Sequence, residues 1–257
     1  SEPIVTIDFE TRSGAPLRKT GAFRYAEDQT TQIMMLCFAV GDGPVKTWYG
    51  PEIDDQAHYG DVLKSGPNKG KRRQLLEAIN LYDGDDALDE LIYAIKHGLT
   101  VEAHNAMFER AVWGHQMVNK HGFMAVPHRQ WRCSAAKAAS YALPRSLEGA
   151  GSVCGLKMQK DMEGSKLLQR LMKTRKPTKD NHRSYFGTEE EFRRLAQYCV
   201  RDVEAERELS KKLPDFSDQE QELWLVDQAM NERGVQLDLE LAAHGLQLTE
   251  KVKKVLK

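Results

Sequence analysis

Asp8, Glu10, Glu109 and Asp202 are the residues of this sequence whose types and placement could do chemistry. They fall in three separated clusters. Carboxylates brought to one point repel one another, and their pKa values rise. Divalent cations remove that conflict, and a pair of cations can activate water and stabilise the leaving oxygen of a phosphodiester. If the clusters converge, the chemistry they predict is metal-dependent cleavage of a phosphodiester backbone.

Each cluster has a local context that could aim it, and each also has an ordinary explanation. Asp8 and Glu10 close the apolar run Pro3–Glu10, whose Ile4, Val5, Ile7 and Phe9 predict a buried strand. Strand side chains alternate, so both acids share a face. The Asp-x-Glu spacing alone carries nothing, because it recurs at Asp161, Asp202, Asp218 and Asp238. Only the first copy ends an apolar strand. His104-Asn105-Ala106-Met107-Phe108-Glu109 sits at a predicted strand-to-helix junction. There the free N–H groups of a helix start suit anions, Asn105 can cap, Phe108 packs inward and Glu109 points to the cleft at the strand ends. An acid in a first helical turn is also commonplace. Tyr198 and Asp202 stand four apart on a predicted helix, hence on one face, where the phenol could hydrogen-bond an attacking water. The plain alternative is a packed tyrosine and an aspartate neutralised by Arg201.

Composition bounds the rest. The chain has 257 residues, 29% charged and 40% hydrophobic, enough for one large domain or a domain with an appendage. No apolar run approaches a membrane span, and no charged leader precedes an apolar stretch, so the expectation is a cytoplasmic protein with no membrane partner. A net charge of −1 excludes a uniformly basic nucleic-acid binder. The charge is nevertheless patterned. Lys157, Lys160, Lys166, Arg170, Lys173, Arg175, Lys176 and Lys179 face only Asp161 and Glu163 within residues 157–179, whereas residues 83–90 are acidic. Cys37, Cys133, Cys154 and Cys199 have no paired spacing and are expected to be packed thiols, not disulfides or zinc ligands.

The elements that must position the acids follow from periodicity and turn chemistry. Strands at Pro3–Glu10, Gln32–Val40 and Val45–Tyr49, the last two joined by Gly41-Asp42-Gly43-Pro44, predict a three-stranded antiparallel start. Residues 50–85 form a polar excursion with one helix near Arg73–Leu81. An amphipathic helix over Asp86–His97 stops at Gly98. A strand at Leu99–His104, a helix at Ala106–Lys120, a short strand at Arg129–Cys133 and an alanine-rich helix to Ala142 come next. Such interleaving predicts an α/β sheet with mixed strand directions. From Ser146 the pattern is helical. A capped helix starts at Gly187–Glu191 and runs to about Lys212, ahead of Pro214. Ser217 and Glu220 open another helix ending at Arg233-Gly234, and Asp238 caps a last one that reaches Lys257 without a stop signal. The natural protein is therefore expected to continue.

In order and context, strand Asp8-x-Glu10, helix-start Asn105-x-x-Phe108-Glu109 and helical Tyr198-x-x-x-Asp202 resemble the three exonuclease motifs of the DEDD superfamily. Gln197, in place of the histidine of the sister group, indicates the tyrosine variant. The segment Leu223-Trp224 through Asn231-Glu232-Arg233-Gly234-Val235-Gln236-Leu237-Asp238 resembles the lead into the thumb of family A, or DNA polymerase I-like, polymerases. The Asn-Ala-Met-Phe-Glu-Arg version of the second motif looks most like bacteriophage members.

The resemblance implies a ribonuclease H-like, mixed five-stranded sheet flanked by helices, with a helical C-terminal extension. Residues 1–213 would be a 3′→5′ exonuclease domain and residues 214–257 the cut start of the polymerase region. It implies proofreading: a frayed single-stranded DNA 3′ end enters, and nucleoside 5′-monophosphates leave. Asp8, Glu10, Glu109 and Asp202 would bind two divalent cations, Mg²⁺ or Mn²⁺, and Tyr198 would orient the water. The family usually has aspartate at position 109; glutamate keeps the charge and is one methylene longer. Asn105, Phe108, Lys166, Arg170 and Lys173 are expected to contact DNA, with Arg18, Lys19 and Arg24 lining the entrance, while Lys69, Lys71, Arg72 and Arg73 in the excursion have no assigned place. No fingers or palm motif is present; polymerisation would belong to the rest of an intact chain, in the cytoplasm of the host cell if phage-encoded. The competing classes are a stand-alone exoribonuclease of the ribonuclease D kind and a non-catalytic DNA-binding module.

Overall fold

Strand β1 (Val5–Arg12) is buried along almost its whole length because it is the middle strand of a five-stranded sheet. The computed structural model describes residues 2–53, 59–62, 72–74, 84–156, 161–176 and 185–256. Antiparallel to β1 runs β2 (Gln32–Val40), and antiparallel to β2 runs β3 (Lys46–Tyr49). Tyr59–Val62 (β4) and Arg72–Gln74 (β5) pair only with each other. The remaining two strands, β6 (Val101–Ala103) and β7 (Trp131–Cys133), extend the main sheet on the other side of β1 and are parallel to it. The order β3-β2-β1-β6-β7 gives the mixed α/β sheet expected from the sequence. Since β1 and β6 are parallel, their C-terminal ends open on the same edge, where crossover connections leave a crevice.

Helices cover both faces. Helix α1 (Leu17–Glu27), which the sequence pattern did not reveal, is kinked at Gly21, where φ is +76°. Helix α2 (Gly84–Lys96) precedes Gly98, whose φ of +84° ends the turn as expected. After β6 comes α3 (Met107–Val112), which widens into a π-helix over Trp113–Lys120; the uniform helix expected over 106–120 is thus two geometries. Helices α4 (Ser134–Ser140), α5 (Leu147–Val153) and α6 (Met162–Leu171) follow. The long α7 (Glu189–Lys212) opens with a complete capping box, Thr188 accepting from the Glu191 backbone and the Glu191 side chain from that of Thr188.

Helix α7 lies on β1, β2 and β3, and its Phe192, Leu195 and Val203 join Met35, Tyr49 and Ile53 in one buried cluster. On the opposite face Phe9 meets Trp113 edge to face, with ring centroids 6.1 Å apart. A buried ionic network ties α4 to α7. Lys137, 3% exposed, lies 3.5 Å from Glu102, donates to Ser210 Oγ at 2.9 Å and reaches Asp215 at 2.8 Å.

The boundaries expected from sequence shift in places. The first strand runs to Arg12, not Glu10, and the strand expected over 99–104 keeps only Val101–Ala103. Within the stretch expected to be helical near Arg73–Leu81, Arg73 and Gln74 belong to a strand, and residues 75–81 lie outside the described residues, as do Lys69, Lys71 and Asp83. Among the described residues no helix is long and apolar enough to cross a membrane.

The chain divides into two compact units, Ser1–Asp218 and Gln219–Lys257. The second holds most of α8 (Asp218–Arg233), ended by Gly234 at φ +67°, and α9 (Leu239–Val255), whose N-cap Asp238 accepts from the Leu241 backbone at 2.9 Å. Helix α9 buries none of its residues and runs to Val255, with Leu256 at its C-cap; Lys257, which the run is expected to reach, lies outside the described residues.

The Lys137 network generates a stability prediction. Lys137→Met leaves Glu102 buried without its cation, so urea denaturation should show a loss of about 3 kcal/mol or more. An unchanged midpoint would mean that the pair carries no net weight.

Candidate active site

Alternation along β1 turns Asp8 and Glu10 to the face covered by α7 and Phe9 to the other. A register shift follows immediately: Glu10 opposes Met35, but Thr11 opposes Ile33, leaving Met34 as an extra residue in β2. Such a bulge sharpens local twist and re-aims the side chains beside it. Glu10 is 6% exposed and Asp8 is partly buried. Holding two acids here requires compensation from other elements.

Helix α7 brings Tyr198, Cys199 and Asp202 to these acids. Asp202 and Tyr198, four residues apart, share a face, and the phenol hydrogen-bonds the carboxylate. The Cys199 thiol, one position along, donates to Asp8 Oδ2 at 3.3 Å and lies 3.7 Å from the Asp8 carbonyl oxygen. Arg201 does not neutralise Asp202. Its guanidinium goes instead to Asp161 at 3.1 Å, where Arg194 also binds at 2.5 Å, because Asp161 is the N-cap of α6 and is held facing α7. Asp202 therefore keeps its charge available to the site.

Glu109 enters from the first turn of α3, beyond the C-terminal end of β6, and is 4% exposed. Its Oε2 is buried with no hydrogen-bond partner. Burial drives the Glu109 pKa well above the usual carboxylate range, and the charge of Asp8 adds to the effect. Burial also raises Glu10, which feels Asp8, Asp202 and Glu109 together. Asp8 is pushed up to about 7 by burial and then by Asp202, with the Cys199 hydrogen bond pulling the other way. Asp202 rises to about 6, mainly through burial, against the stabilising hydrogen bond from Tyr198. Tyr198 itself is raised, first by burial and then by Asp202, so it remains a proton donor at neutral pH. The four carboxylates expected from sequence thus lie in one electrostatic cluster.

This donor set fits divalent cations. Oxygen ligands suit Mg²⁺ and Mn²⁺, a divalent cation would relieve the repulsion between the acids, and Oε2 of Glu109 is a buried acceptor without a hydrogen-bond partner. Asp8, Glu10 and Cys199 each offer one ligand atom, all within 4.8 Å of one another.

Two contributors had no signal that sequence reasoning used. Cys199 was expected to be only a packed thiol. Its position between Tyr198 and Asp202 on the same helix was the available clue. Gly164 in α6 lies against Tyr198: a Cβ there would stand 2.5 Å from Tyr198 Cδ2 and 2.9 Å from its Cβ. The ring is therefore seated on backbone.

The remaining expected residues are dispersed. Asn105 is exposed, with a φ of +72°, and does not cap: Ala106 takes the N-cap position without a side-chain bond, while the Asn105 carbonyl accepts from Phe108 N at 3.0 Å. The left-handed turn at Asn105 replaces the capping geometry. Phe108 is only partly buried, its ring 5.9 Å from that of Tyr25. Lys166, Arg170 and Lys173 are exposed on and after α6; Arg170 binds Glu191 at 2.5 Å and lies 5.9 Å from the Phe186 ring centre. Lys157, Lys160 and Lys179 of the basic run lie outside the described residues. Lys19 and Arg24 line a shallow depression with Glu27 and Asp28, and Arg18 is exposed nearby in α1.

No family model matches the chain. Over 253 residues it is 29% identical to the DNA polymerase of Bacillus phage SP02. The match takes in 96% of this chain and 34% of that protein, so the chain spans about a third of the length of its relative.

Two outcomes are expected. Gly164→Ala displaces Tyr198 and should perturb the tyrosine ultraviolet absorption while far-ultraviolet dichroism stays unchanged; a spectrum identical to the wild type would show that the ring does not depend on this contact. The second concerns pH. Asp8 and Asp202 have folded-state pKa values above their unfolded ones, so the folded chain holds protons that the unfolded chain releases. Their contribution to stability is full below about pH 4 and is lost as pH rises through about 6 to 7. In a chelator, Asp8→Asn should therefore gain stability relative to wild type as pH is raised across that window. A gap that stays constant with pH would contradict the shift.

Proposed function

We propose that the chain is the 3′→5′ exonuclease part of a phage-type, family A DNA polymerase, built on a ribonuclease H-like fold and removing nucleoside 5′-monophosphates from single-stranded or frayed DNA 3′ ends. The observation that carries this reading is the meeting of Asp8, Glu10, Glu109 and Asp202 from within β1, the helix after β6 and the long α7, with a tyrosine hydrogen-bonded to the last of them. The similarity to a phage DNA polymerase across nearly the whole chain supports the same reading. The division we favour is residues 1–213 for the exonuclease and 214–257 for the entry to the polymerase.

Asp8, Glu10, Glu109 and Asp202 would hold the ions. Divalent cations, when bound, neutralise the scissile phosphate, make water a nucleophile at neutral pH and stabilise the departing oxygen. The protein's own part is positioning and electrostatics. Tyr198 keeps its proton and offers an oriented hydroxyl beside Asp202, suited to holding the attacking water. Asp161 holds Arg201, so among the described residues that arginine does not pair with Asp202. The longer side chain of Glu109 reaches the cluster from the first turn of α3, and shortening it would restore the residue usual in the resembling family.

The test is trimming of a 5′-labelled single-stranded DNA oligonucleotide with Mg²⁺ or Mn²⁺. Wild type should yield a ladder shortened from the 3′ end. Asp8→Ala and Asp202→Ala should abolish it, and Glu109→Asp should keep or raise the rate. Full activity in either alanine variant removes the mechanism, and a clear preference for RNA oligonucleotides removes the proofreading assignment.

A further inference from the structure

We propose that Cys199 is a soft ligand in the metal site, giving it a second selectivity in which Asp8, Glu10 and Cys199 together capture a thiophilic divalent cation such as Zn²⁺ or Cd²⁺. The inference rests on the reading of the acids as a metal site and adds to it a residue that the oxygen-only chemistry does not use.

Three observations carry it. The first is geometric: Cys199 Sγ and one oxygen from each of Asp8 and Glu10 lie within 4.8 Å of one another. Zinc holds sulfur at about 2.3 Å and carboxylate oxygen at about 2.0–2.2 Å, so ligands on one ion stand no more than about 4.5 Å apart. The triad therefore closes on one ion with little movement. The second is orientation: Cys199 already points its S–H at Asp8 Oδ2, 3.3 Å away, so sulfur and carboxylate face a common point. The third is independent of the thiol. Glu109 Oε2, on a side chain 4% exposed in the first turn of α3, is buried without a hydrogen-bond partner. That is an acceptor left over in a site otherwise filled with acceptors, which a cation satisfies and a further hydrogen bond within the protein does not.

The two classes of ion then read different parts of the site. Mg²⁺ is hard, demands oxygen and leaves the thiol as a hydrogen-bond donor to Asp8. A thiophilic ion favours thiolate. On its binding the Cys199 S–H bond breaks, the proton leaves to solvent and the sulfur lone pair forms the bond to the ion, with no change in oxidation state. Cys37 lies opposite Asp8 on β2, with its sulfur 3.3 Å from Thr47 Oγ1 and hydrogen-bonded to Cys199, so it is the neighbouring thiol from which Cys199 has to be told apart.

Cd²⁺ is the probe, because a cadmium–thiolate bond has an ultraviolet charge-transfer band that carboxylate ligation lacks. Cd²⁺ titrated into the whole chain should raise that band, Cys199→Ser should abolish it and weaken Cd²⁺ binding at least about tenfold, and Cys37→Ser should keep it. Mn²⁺ binding, followed by electron paramagnetic resonance, should be little changed in Cys199→Ser. A wild-type protein that binds Mn²⁺ but shows no sulfur band overturns this inference alone. Absence of Mn²⁺ binding overturns the underlying reading of the acids. A band that persists in Cys199→Ser assigns it to another thiol and also overturns the proposal. The wild-type measurement stands even if the serine variant misfolds.

Discussion

Four carboxylates that cannot all be charged together are the constraint on which this structure turns. Asp8, Glu10, Glu109 and Asp202 arrive from different elements; burial raises the proton affinity of each, and repulsion within the cluster adds to it at Asp8, Glu10 and Glu109. A chain fitted only for stability would separate them or pair each with an arginine. Here two arginines of α7, Arg194 and Arg201, bind Asp161 instead. The fold thus keeps a concentration of negative charge beside the open ends of two parallel strands. The sheet order makes this possible: with β1 central and the shorter β6 parallel to it, the helix that follows β6 starts beside the acids carried by β1.

Much of this was legible in sequence because it depends on local periodicity. The two-residue repeat of a strand puts Asp8 and Glu10 on one face whatever the rest of the fold does, and the near-fourfold repeat of a helix does the same for Tyr198 and Asp202. The Thr188–Glu191 box and the Asp238 cap were readable for the same reason: their partners are three residues away. Turn-level detail was less secure. Asn105 has the chemistry of a cap, but its backbone takes a left-handed turn that moves the helix start one residue on.

What was not legible depends on how distant elements meet. The neighbours Tyr198 and Asp202 place Cys199 near the site, but that its thiol reaches Asp8 is fixed by the depth at which α7 settles on β1. The same holds for Arg201, whose neighbour in sequence is Asp202 but whose partner in space is Asp161. The buried Lys137 network is equally invisible, because an isolated lysine in an alanine-rich helix reads as a solvated residue until Glu102 and Ser210 close around it. Helix α1 was hidden by Gly21, which interrupts its pattern and, in the structure, kinks it.

The seat of Tyr198 on Gly164 has an evolutionary corollary. Helix α6 touches the aromatic ring through main-chain atoms at a position without a side chain. Its outward positions, among them Lys166 and Gln169, lie in solvent and are free to drift between relatives. The helix can thus change its outer surface while Gly164 and the leucines Leu167, Leu168 and Leu171 hold its inner face. The cost of substitution along α6 should therefore follow its two faces, high at Gly164 and Leu171 and low at Lys166 and Gln169.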